Sequence, residues 1–178
     1  MKIIKSKVPY NSLLNQTDKK YDYVDSFQGL IIDNGNKLNS TDIAKAFFSS
    51  APTWVDKLMG FRNKIVAIFG LKTSGSTADK QKALDNLKYE KGEQVGIFRI
   101  YDKTDNEIIL GEDDKHLNFR VSLYLDKSKM EQSETKLTIS TAVIFNNWFG
   151  RLYFLPVRAF HSLIVKTMLK TTIRKLEK

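Results

Sequence analysis

From Asn147 onward, Phe149, Tyr153, Val157, Phe160, Ile164 and Met168 recur at steps of three and four residues, the spacing of one face of an α-helix. A helix with so continuous an apolar stripe has to bury it. Arg158, Ser162, Lys166, Lys170 and Arg174 form a ridge on the other side. Pro156 removes one backbone donor, so a bend is expected near it. The rest of the chain must therefore supply a surface that receives one long terminal helix.

The preceding residues read as that surface. Val95–Tyr101, Glu107–Gly111, Leu117–Leu125 and Thr135–Phe145 are strand-like runs, rich in branched and aromatic residues. Their connections, Asp102–Asn106, Glu112–His116 and Asp126–Glu134, carry turn residues at hairpin lengths, which predicts antiparallel pairing. In Leu117–Leu125, Leu117, Phe119, Val121, Leu123 and Leu125 alternate with Asn118, Arg120, Ser122 and Tyr124. One face of the sheet is thus expected to meet the interior and the other to meet water. Leu137, Ile139, Val143 and Phe145 repeat the pattern.

Upstream, Tyr21–Ile32 reads as a first strand with Gly29 as a bulge, followed by a turn at Asp33–Asn36. Ser40 or Thr41 is placed to cap a helix through Ile43, Ala44, Phe47 and Phe48. A second helix is expected from Pro52 to Gly70, carrying Trp54, Leu58, Phe61, Ile65 and Phe69. Residues 73–79 read as a loop and residues 80–87 as a weak helical turn. Residues 1–20 are polar and lysine-rich, an N-terminal arm before one domain over residues 21–178. The expected class is α+β: a curved antiparallel sheet around a C-terminal helix, in the order β-α-α-β(n)-α.

Composition narrows the function. The 178 residues are 42% hydrophobic and 28% charged, a globular profile that fits one domain. The absence of cysteine excludes disulfides, cysteine-held metal clusters and thiol nucleophiles. The opening Met1–Lys7 lacks the continuous apolar stretch of a secretory leader, and Trp148–Val165 is interrupted by Arg151, Arg158 and His161. A cytoplasmic protein without stable membrane insertion is expected. The net charge of +9 invites nucleic acid or anionic lipid, yet most bases lie among acids in solvated turns, as in Glu90–Glu93. With no sheet platform or zinc motif, no nucleic acid is expected. The terminal helix reads as a solvated basic face rather than a membrane anchor.

Familiar catalytic signatures do not survive inspection. Gly70-Leu-Lys-Thr-Ser-Gly75-Ser-Thr has the glycine spacing of a phosphate loop, but Ser76 stands where the lysine must be. Glu112, Asp113, Asp114 and His116 read as a hairpin tip rather than a metal site, and no metal, cofactor or catalytic set is assigned. His161 reads two ways: a half-buried histidine satisfied by its surroundings, or a polar group facing a ligand near Arg99 or Arg120, able to orient an oxygen or move a proton.

Gly111-Glu-Asp-Asp-Lys-His116-Leu-Asn-Phe-Arg120, Gly150-Arg-Leu-Tyr153, Phe160-His161-Ser-Leu-Ile-Val165 and Met168-Leu169 resemble blocks of the bacterial family of domains of unknown function numbered 2867. Asp25-Ser-Phe27, Trp54-Val-Asp56, Leu58-Met59 and Phe69-Gly70-Leu-Lys72 fit the same pattern. The resemblance spans roughly Tyr21 to Leu169. It implies a START-like, or helix-grip, domain, a class that holds lipids, polyketides, hormones or quinones between sheet and terminal helix. Some relatives join this domain to a dehydrogenase-like half. No dinucleotide-binding glycine fingerprint is read in this sequence, so the resemblance implies at most a dehydrogenase-like partner and no catalytic set of its own. The expectation is a hydrophobic or amphipathic small-molecule ligand with Trp54, Phe61, Phe119, Tyr153, Phe160 and Ile164 as walls and Arg120 and His161 as polar anchors. Whether the ligand is only held, or is turned over by a cyclase, dehydratase or hydrolase chemistry at a histidine, stays open.

Overall fold

The computed structural model describes residues 1–16, 20–35, 37–50, 52, 87–127 and 134–177. In chain order these form β1 (Ile4–Lys5), a 3-10 turn (Leu13–Gln16), β2 (Tyr23–Ile32) and α1 (Ser40–Ser49), then β3 (Gln94–Val95), β4 (Phe98–Lys103), β5 (Glu107–Asp113), β6 (Leu117–Asp126) and β7 (Glu134–Phe145), and last α2 (Trp148–Leu176). The strands make one curved antiparallel sheet in the order β1-β2-β7-β6-β5-β4-β3. The first long strand therefore lies beside the last, and the β3–β7 run is a series of hairpins. The expected helix from Pro52 to Gly70, the glycine loop after it and the turn over residues 80–86 lie outside the described residues.

Local chemistry explains several differences from the sequence reading. The run read as one strand, Val95–Tyr101, is split by a two-residue link, so Val95 pairs with Phe98 across a hairpin. The irregularity expected at Gly29 lies instead in β4, where the register skips Tyr101 between Ile100 and Asp102. Gly29 pairs in register with Leu137. The cap of α1 is Asn39, whose side chain accepts from the Thr41 and Asp42 amides while the Asp42 carboxylate accepts from the Asn39 amide, a reciprocal box that satisfies orphan donors. Ser40, expected as the cap, donates to the Thr104 carbonyl and ties α1 to the β4–β5 turn.

The inner face of the sheet carries Phe27 and Ile31 from β2, Leu110 from β5, Leu123 and Leu125 from β6, and Leu137 and Ile139 from β7. Onto it pack Ile43, Phe47 and Phe48 of α1 and Val165, Met168, Leu169 and Ile173 of α2. The helix is rotated relative to the sequence reading. Its buried side runs through Gly150, Phe154, Val165, Met168, Leu169, Thr172 and Ile173, whereas Phe160 is exposed.

The outer face does not simply meet water. Ser122 and Tyr124 of β6 are buried there, and on the same face Leu14, Val8 and Leu13 of the N-terminal residues cluster with Ile109 of β5 and Ala142 of β7. Glu107, 1% exposed, fastens that cover: its Oε1 accepts from Ser12 Oγ at 2.6 Å and Ser122 Oγ at 2.5 Å, and its Oε2 accepts from the Leu13 amide at 2.8 Å. A buried carboxylate is tolerated because three donors replace its water. The lysine-rich arm read from the sequence thus contributes an edge strand and a covering turn.

Candidate functional site

Strand alternation places Tyr23, Asp25 and Phe27 of β2 on the same inner face. Phe27 belongs to the core, so Asp25 is a carboxylate on an apolar side. Its cross-strand partner is Thr141 of β7. Over this pair lies α2, which presents His161 to Asp25 with Nε2 3.3 Å from Oδ1. Asp25 is 7% and Thr141 3% exposed.

The hydrogen bonding here is incomplete. Tyr23 donates its hydroxyl to Asp25 Oδ2 at 2.7 Å. Asp25 Oδ1, His161 Nε2 and Thr141 Oγ1 are buried with no hydrogen-bond partner among the described residues. The 3.3 Å approach of His161 to Asp25 permits a Coulombic attraction when the imidazole is protonated, but its alignment is not that of a hydrogen bond. Three unpaired polar atoms in one buried neighbourhood are costly, since each gives up its hydration without return.

Aromatic rings wall the cluster. Phe154 meets the Tyr23 ring edge-on at 4.9 Å and the Phe145 ring at 5.4 Å. His161 stands edge-on to Tyr23 at 6.1 Å, and the Arg158 guanidinium lies 5.5 Å over the Tyr23 ring. Burial pushes the Tyr23 hydroxyl well above the usual phenol range, and the hydrogen bond to Asp25 and its negative charge push it the same way. Tyr23 is therefore a neutral donor throughout the physiological range.

The residues expected to form one site are only partly together. His161 is in the cluster, and Phe119 and Ile164 pack at the margin of the core on the same side of the sheet. Tyr153 is half-buried on α2. Phe160 is 55% exposed on the outward side of α2. Arg120 lies on the opposite face of the sheet from His161, with its guanidinium 3.4 Å over the Tyr101 ring and 2.8 Å from Asp113. Trp54 and Phe61 lie outside the described residues. An open cleft of about 710 Å³ at the start of α1 is lined by Asn39, Lys45, Glu90, Lys91 and Lys103 among others, and by none of the expected site residues that are described.

His116 has a different setting. The Asn147 amide donates to His116 Nδ1 at 3.0 Å and to the Lys115 carbonyl at 3.1 Å, while Asn147 Oδ1 caps α2 by accepting from the Gly150 amide. The imidazole also packs on Phe149 at 4.7 Å. His116 and the β5–β6 hairpin thus anchor the start of α2.

Sequence reasoning missed Tyr23, Asp25, Thr141 and Phe154. The available signal was Asp25, an acid in phase with Phe27 and Ile31 on a strand whose alternate residues face the core. Phe154 was missed with the rotation of α2.

The architecture and cluster define an α+β domain in which one antiparallel sheet and its terminal helix enclose an incompletely bonded polar group. Residues 18–168 match the family described as "Protein of unknown function (DUF2867)", and the chain belongs to that family. Comparison with curated proteins gives no match. Among the described residues no helix is long and apolar enough to cross a membrane.

Proposed function

We propose that this is a cytoplasmic domain of helix-grip type that binds an amphipathic small molecule between α2 and the inner face of the sheet. The polar end of the ligand meets Asp25, Thr141 and His161, and its apolar part meets rings such as Tyr23 and Phe154. The observation that carries this reading is the trio of buried, unpaired atoms, Asp25 Oδ1, Thr141 Oγ1 and His161 Nε2. A ligand hydroxyl both donates and accepts, so it suits a carboxyl oxygen beside a threonine hydroxyl and an imidazole. A carboxylate-ended ligand meets repulsion from Asp25. The placement of β2 beside β7 under α2 supports the helix-grip assignment. Each 100 Å² of ligand surface removed from water contributes about 2.5 kcal/mol.

Displacement of a naphthalene dye tests the reading, with dodecanol and dodecanoate as competitors, alongside solvent extraction and mass spectrometry of the purified protein. Dodecanol is expected to displace the dye more strongly, and His161→Ala to weaken it. An extract without ligand, together with no displacement by either compound, refutes the proposal.

A second reading is favoured by one observation: His161 faces Asp25, which is itself held by Tyr23. A carboxylate behind an imidazole is the arrangement of a general base or acid. On that reading His161→Ala abolishes turnover of a bound substrate while leaving its affinity nearly unchanged. A carrier loses affinity and has no turnover to lose.

A further inference from the structure

The outward side of α2 is apolar where a solvent-facing helix surface is ordinarily polar. Trp148, Leu152, Leu155 and Leu163 fall on one line along the helix by their spacing. They are 73%, 53%, 61% and 58% exposed, and Phe160 flanks them. Isolated exposed apolar residues need no explanation, but a continuous strip marks an interaction surface. The same line continues through Lys166, Lys170 and Arg174, all exposed.

The charge on this helix points to the kind of surface that covers it. Over its 29 residues α2 carries six Lys and Arg and no Asp or Glu, so it holds six of the chain's net +9. The acids at its two ends are engaged: Asp22 accepts from Arg151 at 3.1 Å, and Glu177 accepts from the Ile32 amide. The strip is thus apolar at one end and cationic at the other, with no counter-charge of its own.

We infer that this face docks in the plane of an anionic lipid surface. Trp148 and the leucines enter the boundary between headgroups and acyl chains, while Lys170 and Arg174 meet lipid phosphates. A second copy of the chain is a poorer occupant, because it would bring two acid-free cationic helices together. The docking is peripheral, in keeping with the absence of a membrane-crossing helix among the described residues. It does not require the Asp25 cluster to bind anything.

The test is co-sedimentation with vesicles of phosphatidylcholine containing about 30% phosphatidylserine, against phosphatidylcholine alone, at low salt and at about 0.5 M salt, where exposed charges are screened. The wild type is expected to pellet with the anionic vesicles at low salt and to be released by high salt. Lys170→Gln with Arg174→Gln lowers partitioning roughly 25-fold, about five-fold per cation. Leu152→Ser with Leu155→Ser lowers it roughly ten-fold or more. These side chains are exposed, so both variants keep the far-ultraviolet dichroism of the wild type. In a Trp54→Phe background Trp148 is the remaining tryptophan; its emission is water-exposed in buffer and shifts to the blue on vesicles. Equal partitioning to both vesicle types, or partitioning that neither double variant changes, overturns the inference. So does self-association that Leu155→Ser abolishes, which assigns the strip to a second copy. Blue emission from Trp148 before vesicles are added also overturns it, because the strip is then already covered by protein.

Discussion

Replacing Thr141 by Val is expected to make the free protein more stable and its ligand binding worse. Thr141 is 3% exposed, its Oγ1 has no hydrogen-bond partner among the described residues, and it sits directly across from Asp25. Valine keeps the branched shape and the preference for a strand while exchanging the hydroxyl for a methyl of similar size. An unpaired buried polar group costs about 1–3 kcal/mol, and values from protein mutants lie toward the lower end, so the expected gain is about 1–2 kcal/mol. For a chain of this size that is a rise of roughly 4 °C in Tm. Binding moves the other way. Loss of one ligand hydrogen bond, worth about 0.5–1.5 kcal/mol, weakens dodecanol by roughly three- to ten-fold. Urea denaturation followed by circular dichroism measures the first effect, and dye displacement the second. A fall in stability with an unchanged m-value shows that the hydroxyl has a partner in the free protein and refutes the argument. Unchanged dodecanol affinity removes Thr141 from the proposed site.

The remaining outcomes concern the buried tyrosines, the Glu107 latch and two glycines. Burial raises the Tyr23, Tyr101 and Tyr124 hydroxyls above the ordinary 10.0, so in a titration followed at 295 nm these three of the seven tyrosines should ionise late. The native state holds these protons more tightly than the unfolded chain, so stability is full below about pH 10 and is lost as pH rises further; Tyr23→Phe should reduce that alkaline loss. Glu107→Ala removes the acceptor shared by Ser12, Leu13 and Ser122. It should cost about 3 kcal/mol and expose the N-terminal turn to protease and amide exchange, and an unchanged exchange rate at Leu13 counts against the latch. Gly150→Ala should destabilise by about 3 kcal/mol or more, because an added Cβ would lie 2.1 Å from the His116 carbonyl oxygen, a backbone atom. Gly29→Ala meets only side-chain ends of Ile173 and Ile3 at 2.7 Å and should cost less in the same denaturation assay.

Much of the sheet was legible because its signals are local. Leu117–Leu125 alternates cleanly, and hairpin-length turns leave neighbouring strands little choice but to pair. The cover on the outer face was not legible, because it depends on Ser12 and Leu13 meeting Glu107 across about ninety residues of sequence. Nothing in the composition of a lysine-rich arm announces that contact. The site was half legible for the same reason. His161 drew notice as a polar residue near an apolar stripe, but its neighbours come from β2 and β7, and only the register joins Asp25 to Thr141.

The rotation of α2 shows why the remainder escaped. Between Trp148 and Leu163 the helix bears large apolar residues on both its buried and its outward sides, with Phe154 buried and Trp148, Leu152, Leu155 and Leu163 exposed. Periodicity detects a helix there but cannot say which stripe faces the sheet. Two contacts with backbone settle the matter. Gly150 lies against the His116 carbonyl at the start of the helix, and Ile173 fills the space over Gly29 near its end. Each is a close approach that only a glycine permits without displacement, and together they fix the rotation of the helix at both ends. That rotation sets His161 against Asp25 and turns the tryptophan–leucine strip outward. The proposed binding site and the proposed membrane-facing surface are therefore opposite sides of one rotational choice. Substitutions at Gly150 should disturb both, whereas substitutions along the exposed strip should leave the Asp25 cluster untouched.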